Sequence, residues 1–287
     1  MKRIGYWIAT NLAIMAMLGV MLNIILPLLG IEAGQNASLL IICLAFGMGG
    51  SLISLMMSKS MAIRSTGAQI ITNPRTATET WLVETVARLA KESNIGMPDV
   101  AIYPAADINA FATGAKRDQA LVAVSSGLLQ QMSRDEAEAV LAHEVAHIAN
   151  GDMITLTLIQ GVLNTFVMFM ARIVANIIVN AMRNNNQSAG TFVYFGIVFV
   201  LEIIFGLLAS IIVMWFSRKR EYAADSGAAK LVGPQKMIMA LQRLKQSYPS
   251  ELKGELVAFG INSKPSELFA SHPSLDDRIS ALQNYRR

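Results

Sequence analysis

The chain has 287 residues, 53% of them hydrophobic and 15% charged, with a mean hydropathy of +0.44. A soluble globular protein carries about 25% charged residues, so this balance excludes an ordinary water-soluble domain and points to membrane-embedded segments. The net charge of +4 sits beside apolar runs with no basic stripe of interleaved aromatics, which excludes nucleic-acid binding; the single cysteine, Cys43, excludes an intramolecular disulfide and reads as a small buried apolar residue.

Lys2 and Arg3 precede an uncharged run over residues 4–29. It is longer than the core of a cleaved signal peptide and long enough for the ~30 Å hydrocarbon layer. A short loop, 30–38, leads to a second uncharged run, 39–58, whose Gly47, Gly49 and Gly50 suit close helix packing. Residues 1–58 are thus expected to form a transmembrane hairpin.

From Lys59 the composition becomes that of a water-exposed region, 59–153. Asn73-Pro74 marks a turn. Trp81, Leu82, Val86 and Leu89 place a helix over 78–92. Strands are expected over 99–103 and 119–125, with 109–114 as a turn-rich connector and Gly127 as a breaker. In the second strand, Ala120, Leu121, Val122, Ala123, Val124 and Ser125 are expected to offer an exposed edge on which an extended peptide pairs through its backbone.

A helix follows. Ser133 and Glu136 form a capping box, Ala137, Val140, Leu141, Val145 and Ile148 recur at helical spacing, and Gly151 stops it. On this helix stands His143-Glu-Val-Ala-His147, which uses two of the chain's three histidines. Positions i and i+4 share one helix face, so His143 and His147 can hold one zinc ion. Glu144 lies beside the first ligand, where a carboxylate can take a proton from water.

A third apolar run, 154–180, is interrupted by Arg172, and a fourth, 191–216, by Glu202. If the two antiparallel runs start from and return to one side, Arg172 lies about 27 Å along its helix and Glu202 about 21 Å, at 1.5 Å per residue. Long side chains bridge that difference, so an Arg172–Glu202 ion pair is expected. Lys2, Arg3, Lys59, Arg64, Arg75, Arg218, Lys219 and Arg220 fall on one side of the runs and Arg183 on the other. By the positive-inside rule both termini and the catalytic region face the cytoplasm.

Two histidines do not complete a zinc site, which takes three protein ligands and leaves a position open. His272, the remaining histidine, is one candidate; a carboxylate of Glu221 or Asp225, spaced i and i+4, is the other. Residues 217–287 are therefore expected to complete the catalytic part. Met237, Leu241 and Leu244 mark one helix there, 248–265 is a looser stretch, and Ser274 caps a last helix.

Four segments, Asn109-Ala-Phe-Ala-Thr-Gly114, His143-Glu-Val-Ala-His147, Ser217-Arg-Lys-Arg-Glu-Tyr-Ala-Ala-Asp225 and Ser271-His-Pro273, together resemble the HtpX membrane zinc metalloproteases of bacteria. The resemblance covers essentially the whole chain. It implies a mainly α membrane protein with four transmembrane helices and a small α+β zincin-like metalloprotease domain. It implies His143, His147 and Glu221 as ligands of one Zn2+, Glu144 as general base, and Asp225 as the group that orients a ligating histidine. His272 is then expected to stabilise the oxyanion or act on the leaving amine, and Arg278 to brace this region. The implied partners are polypeptide substrates, above all misfolded membrane proteins of the cytoplasmic (inner) membrane, and the lipid bilayer. Its rivals are a processing protease with one substrate and a zinc-binding membrane scaffold without turnover.

Overall fold

The computed structural model describes residues 33–184, 190–247 and 272–285. The run 4–29, expected to be the first span, and the looser stretch 248–265 lie outside them. In chain order the elements are α1 (Ala33–Thr66), β1 (Gln69–Ile70), α2 (Ala77–Glu92), β2 (Asp99–Tyr103), β3 (Ala110–Thr113) and β4 (Leu121–Ser125). They continue with α3 (Ser126–Gln131), α4 (Arg134–Asn150), α5 (Asp152–Asn184), α6 (Thr191–Val232), α7 (Pro234–Ser247) and α8 (Leu275–Gln283).

Among the described residues three helices are long and apolar enough to cross a membrane, over Asn36–Thr66, Asp152–Met182 and Thr191–Val232. The helices outrun the apolar segments. α1 starts inside the expected loop 30–38 and continues past Ser58, and α6 runs sixteen residues beyond Phe216 to Val232. Lysine and arginine end an apolar run but are good helix formers, so a helix continues until glycine or a turn stops it. Gly67 (φ 67°) and Gly233 (φ 91°) follow these two helix ends.

The described chain divides into two compact units. One holds residues up to Ile53 with Thr157–Ser210, and the other holds Ser54–Leu156 with Ile211–Arg287. In the first, the expected ion pair forms: Arg172 Nη1 is 2.7 Å from Glu202 Oε1 and also donates to Met168 O at 2.8 Å. Gly47 lies against Thr165 and Gly161 against Met48, so close that a Cβ on either glycine would overlap its neighbour, whereas Gly49 and Gly50 face open space. Cys43 is buried with Leu40, Phe169 and Ile173.

The second unit carries a four-stranded sheet in the order β1-β2-β4-β3. β2 and β4 are parallel, and β1 and β3 run antiparallel to their neighbours. This corrects the expectation that residues 120–125 form an exposed edge. β4 has a partner on both sides and Leu121–Ser125 are all buried. The sheet ends beside β4 with β3, in the segment expected to be a connector, and on the other side with β1. Non-local pairing makes Ala110–Thr113 a strand, although its residues are small and its flanks, Asn109 and Gly114, favour turns. Residues 117–119 are one 3-10 turn, so β4 starts two residues later than expected.

The core packs α2, α4 and α7 on the sheet. Leu82, Val86 and Leu89 of α2 meet Val122 and Val124 of β4, Val140, Leu141 and Val145 of α4, and Met237, Leu241 and Leu244 of α7. Full burial of each such side chain is worth roughly 1.5–3 kcal/mol. Ile279 and Leu282 of α8 close the same core.

Candidate metal centre

α4 is built as its sequence requires. Ser133 Oγ accepts from Glu136 N while the Glu136 carboxylate accepts from Ser133 N, a reciprocal cap. Gly151 ends the helix in the left-handed region, at φ 73° and ψ 32°, which turns the chain sharply into α5. His143 and His147 share a buried face of α4, their rings edge to face at 4.6 Å.

α6 supplies the rest from beyond its apolar run. Glu221 lies five residues, about 7.5 Å of helix, past Phe216. Gly227 allows α6 to approach α4: a Cβ there would stand 2.7 Å from Cβ of Ala146, the residue just before His147. Ala224 and Ala228 are fully buried on α6.

Nε2 of His143 and Nε2 of His147 lie 3.1 Å apart. Glu221 Oε2 is 3.5 Å from the first and Glu221 Oε1 3.3 Å from the second. One ligand atom from each of the three residues fits within 4.8 Å of the others. The opposite ring nitrogens face carboxylates. His143 Nδ1 is 2.9 Å from Asp225 Oδ1, and His147 Nδ1 is 2.6 Å from Asp152 Oδ2. Asp225 is gripped in turn by Arg278, whose Nε and Nη2 donate to its two oxygens at 2.8 and 2.6 Å. Arg278 is fully buried, with Nη1 3.3 Å from Glu221 Oε2.

Charge shapes this interior. Burial by itself raises carboxylates and lowers histidines. Glu144 follows burial and is raised above its ordinary value. For His147, burial is outweighed by the hydrogen bonds it donates to the Asp152 and Glu221 carboxylates, which hold it up at about 10. His143 is raised in the same way by Asp225 and Glu221. In Glu221, burial is overcome by His272, His143 and His147, which hold it well below the usual carboxylate range. In Asp225, burial is overcome by Arg278, and its carboxyl falls to about 2.

These residues fit a zinc ion. Two imidazoles and a carboxylate are a zinc donor set. With each Nδ1–H given to a carboxylate, both Nε2 lone pairs point at one another, which only a shared cation or proton stabilises. Glu221 Oε2 is buried without a hydrogen-bond partner. Among the described residues four buried carboxylates, Glu144, Asp152, Glu221 and Asp225, gather here, and the buried guanidinium of Arg278 meets two of them, Asp225 and Glu221. A divalent cation offsets that excess.

The structure thus brings together His143, His147, Glu221, Glu144, Asp225 and His272 from the sequence reading. His272 Nδ1 lies 3.0 Å from Glu221 Oε2 but is not aligned for a hydrogen bond, and neither atom has a hydrogen-bond partner among the described residues. Glu144 is 5% exposed, and no hydrogen bond joins its carboxylate to another described residue. The strand 120–125 stays in the sheet interior. Asp152 was missed. The one sequence signal for it is a lone acid directly after the glycine stop and before an apolar run, where water would be the default partner.

The profile of peptidase family M48 matches residues 76–286. The chain is similar to Protease HtpX of Vibrio parahaemolyticus, 59% identical over 286 residues that cover 99% of this chain and 100% of that one. It is 62% identical over 289 residues to Protease HtpX of Aeromonas hydrophila, covering 99% and 100%. The crystal structure of S. mikatae Ste24p shares the fold, with a TM-score of 0.59 at 18% identity. That match covers 97% of this chain and 66% of that longer one. With a buried His-His-Glu donor set inside the matched region, the chain belongs to peptidase family M48 and, within it, to the HtpX membrane metalloproteases.

Proposed function

We propose that this metalloprotease cleaves peptide bonds with Glu144 as general base and His143, His147 and Glu221 as the zinc ligands. The observation that carries the proposal is the convergence of those three ligands with a buried Glu144 directly after His143 in the chain. Zinc held there supplies Lewis acidity, polarising the scissile carbonyl and making water acidic enough to deprotonate near neutral pH. Glu144, already raised by burial, accepts that proton and returns it to the leaving nitrogen. His272, standing over Glu221, turns its other ring nitrogen to the substrate and donates to the developing oxyanion. Asp225, clamped by Arg278, fixes the ring of His143.

Substrate pairs with β3 in this reading. Ser125 N donates to Asn109 O across the β3–β4 ladder. Antiparallel strands alternate the direction of their backbone groups, so Ala110 and Ala112 turn theirs away from β4. Those groups accept an extended peptide regardless of its sequence. The expected spans and basic loops support a site on the cytoplasmic side of the inner membrane. A protease so anchored, with sequence-independent pairing, suits removal of misfolded membrane proteins; a dedicated processing enzyme would show a narrow cleavage preference.

The test is zinc-dependent cleavage of an unfolded model protein by the purified full chain in detergent, beside Glu144→Gln. Cleavage by the wild type alone, with equal zinc in both, establishes the base. Equal zinc with no cleavage by either favours a zinc-binding scaffold.

A further inference from the structure

His147 has an outer partner of its own, separate from the Asp225–Arg278 pair behind His143. Asp152 Oδ2 lies 2.6 Å from His147 Nδ1, and Asp152 is 7% exposed. It is the first residue of α5, reached through the left-handed turn at Gly151. Its own carbonyl oxygen accepts from Arg220 Nη1 at 2.9 Å. Arg220 directly precedes Glu221, so the contact ties the α4–α5 corner to the part of α6 that carries the third ligand.

Resting on the zinc reading above, we propose that Asp152, held by Arg220, is the positioning residue for His147. A carboxylate at Nδ1 fixes the tautomer that presents the Nε2 lone pair, stops the ring from rotating about its side-chain bonds, and makes Nε2 a stronger donor. The bland alternative is that Asp152 only complements the dipole at the start of α5. That role would be met by a carboxylate pointing to water. Here the oxygen faces an imidazole inside the core, at charge-assisted distance. The residue that begins an apolar, membrane-crossing helix therefore also sets the direction of a metal ligand. The two ligand histidines are oriented by different parts of the chain, His143 from α6 and α8, His147 from the α4–α5 corner.

The experiment uses the full chain in detergent, as wild type, Asp152→Asn, Asp152→Glu and Arg220→Ala. Zinc affinity is measured by competition with a chromophoric chelator, and the cobalt-substituted protein is read by its visible absorption bands. Asp152→Asn should weaken zinc binding by about 10–100-fold and shift the cobalt bands while helical content is retained. Asp152→Glu should recover part of the affinity, and Arg220→Ala should move both readouts in the same direction by less. Unaltered affinity and unaltered cobalt bands in a folded Asp152→Asn overturn the inference alone. Failure of the wild type to take zinc overturns the zinc reading beneath it. If Asp152→Asn does not fold, Arg220→Ala, which leaves every metal-facing atom in place, decides by the same two readouts.

Discussion

Arg278 carries its charge into the interior because two carboxylates meet it there. Replacing it by leucine leaves Asp225 and Glu221 buried without their counter-charge. Loss of one partner of such a pair costs about 3–5 kcal/mol, so Arg278→Leu should lower the unfolding temperature and the zinc content together. Calorimetry and metal analysis on one preparation check both. The histidines carry a second prediction. His147 stands at about 10 before metal binds, so at pH 7.5 it holds a proton that zinc must displace. The sign follows: zinc affinity should rise with pH toward that value, by up to about tenfold per unit for one displaced proton. Calorimetric titrations in buffers of different ionisation heat should count at least one proton released per zinc. At this scale the histidine pair and Glu144 were legible because their spacing alone makes a site on any helix. Asp152 and the depth of Arg278's burial were not, since both depend on chain folding back from 5 and 131 residues past His147.

Among the elements, the contact of α4 with α6 decides whether there is a metal site at all. Gly227→Ala puts a methyl group 2.7 Å from Ala146 Cβ, and neither helix has a flexible side chain there to give way. The helices must part by several tenths of an ångström, so zinc affinity should fall more than the unfolding temperature does. Equal zinc affinity in Gly227→Ala would show that the approach is not needed. β3 offers a separate test. Ala112→Pro removes an outward N–H without taking a bond from the β4 ladder. Cleavage should drop by about tenfold, the worth of one hydrogen bond, with zinc retained. The helices with strong periodicity and caps, α2 and α4, were readable within a residue of their observed ends. The sheet order was not. Which of two short strands lies at the edge is fixed by pairing across distant segments, and Ala110–Thr113 carries no local pattern that outweighs its turn-forming flanks.

For the molecule as a whole, composition announced the membrane, and the second, third and fourth apolar runs fall on described helices long and apolar enough to cross it. Composition could not show that α1 and α6 run on past their apolar residues, because the change from apolar to basic residues is a change of solvent and not of backbone. Orientation is testable with the chain's single cysteine removed. With Cys43 replaced by alanine, Gly190→Cys should react with a membrane-impermeant thiol reagent from outside intact cells, and Ser93→Cys only after lysis. The reverse pattern would invert the topology. The clustering of His143, His147 and His272 around Glu221 has one more consequence, for spectroscopy. They are the chain's three histidines, so selective isotopic labelling of imidazole gives a spectrum with three ring systems, every one beside Glu221. In a detergent micelle or an intact bilayer, where the rest of a membrane protein crowds the spectrum, those rings report tautomer, metal occupancy and inhibitor contact with no background from elsewhere in the polypeptide.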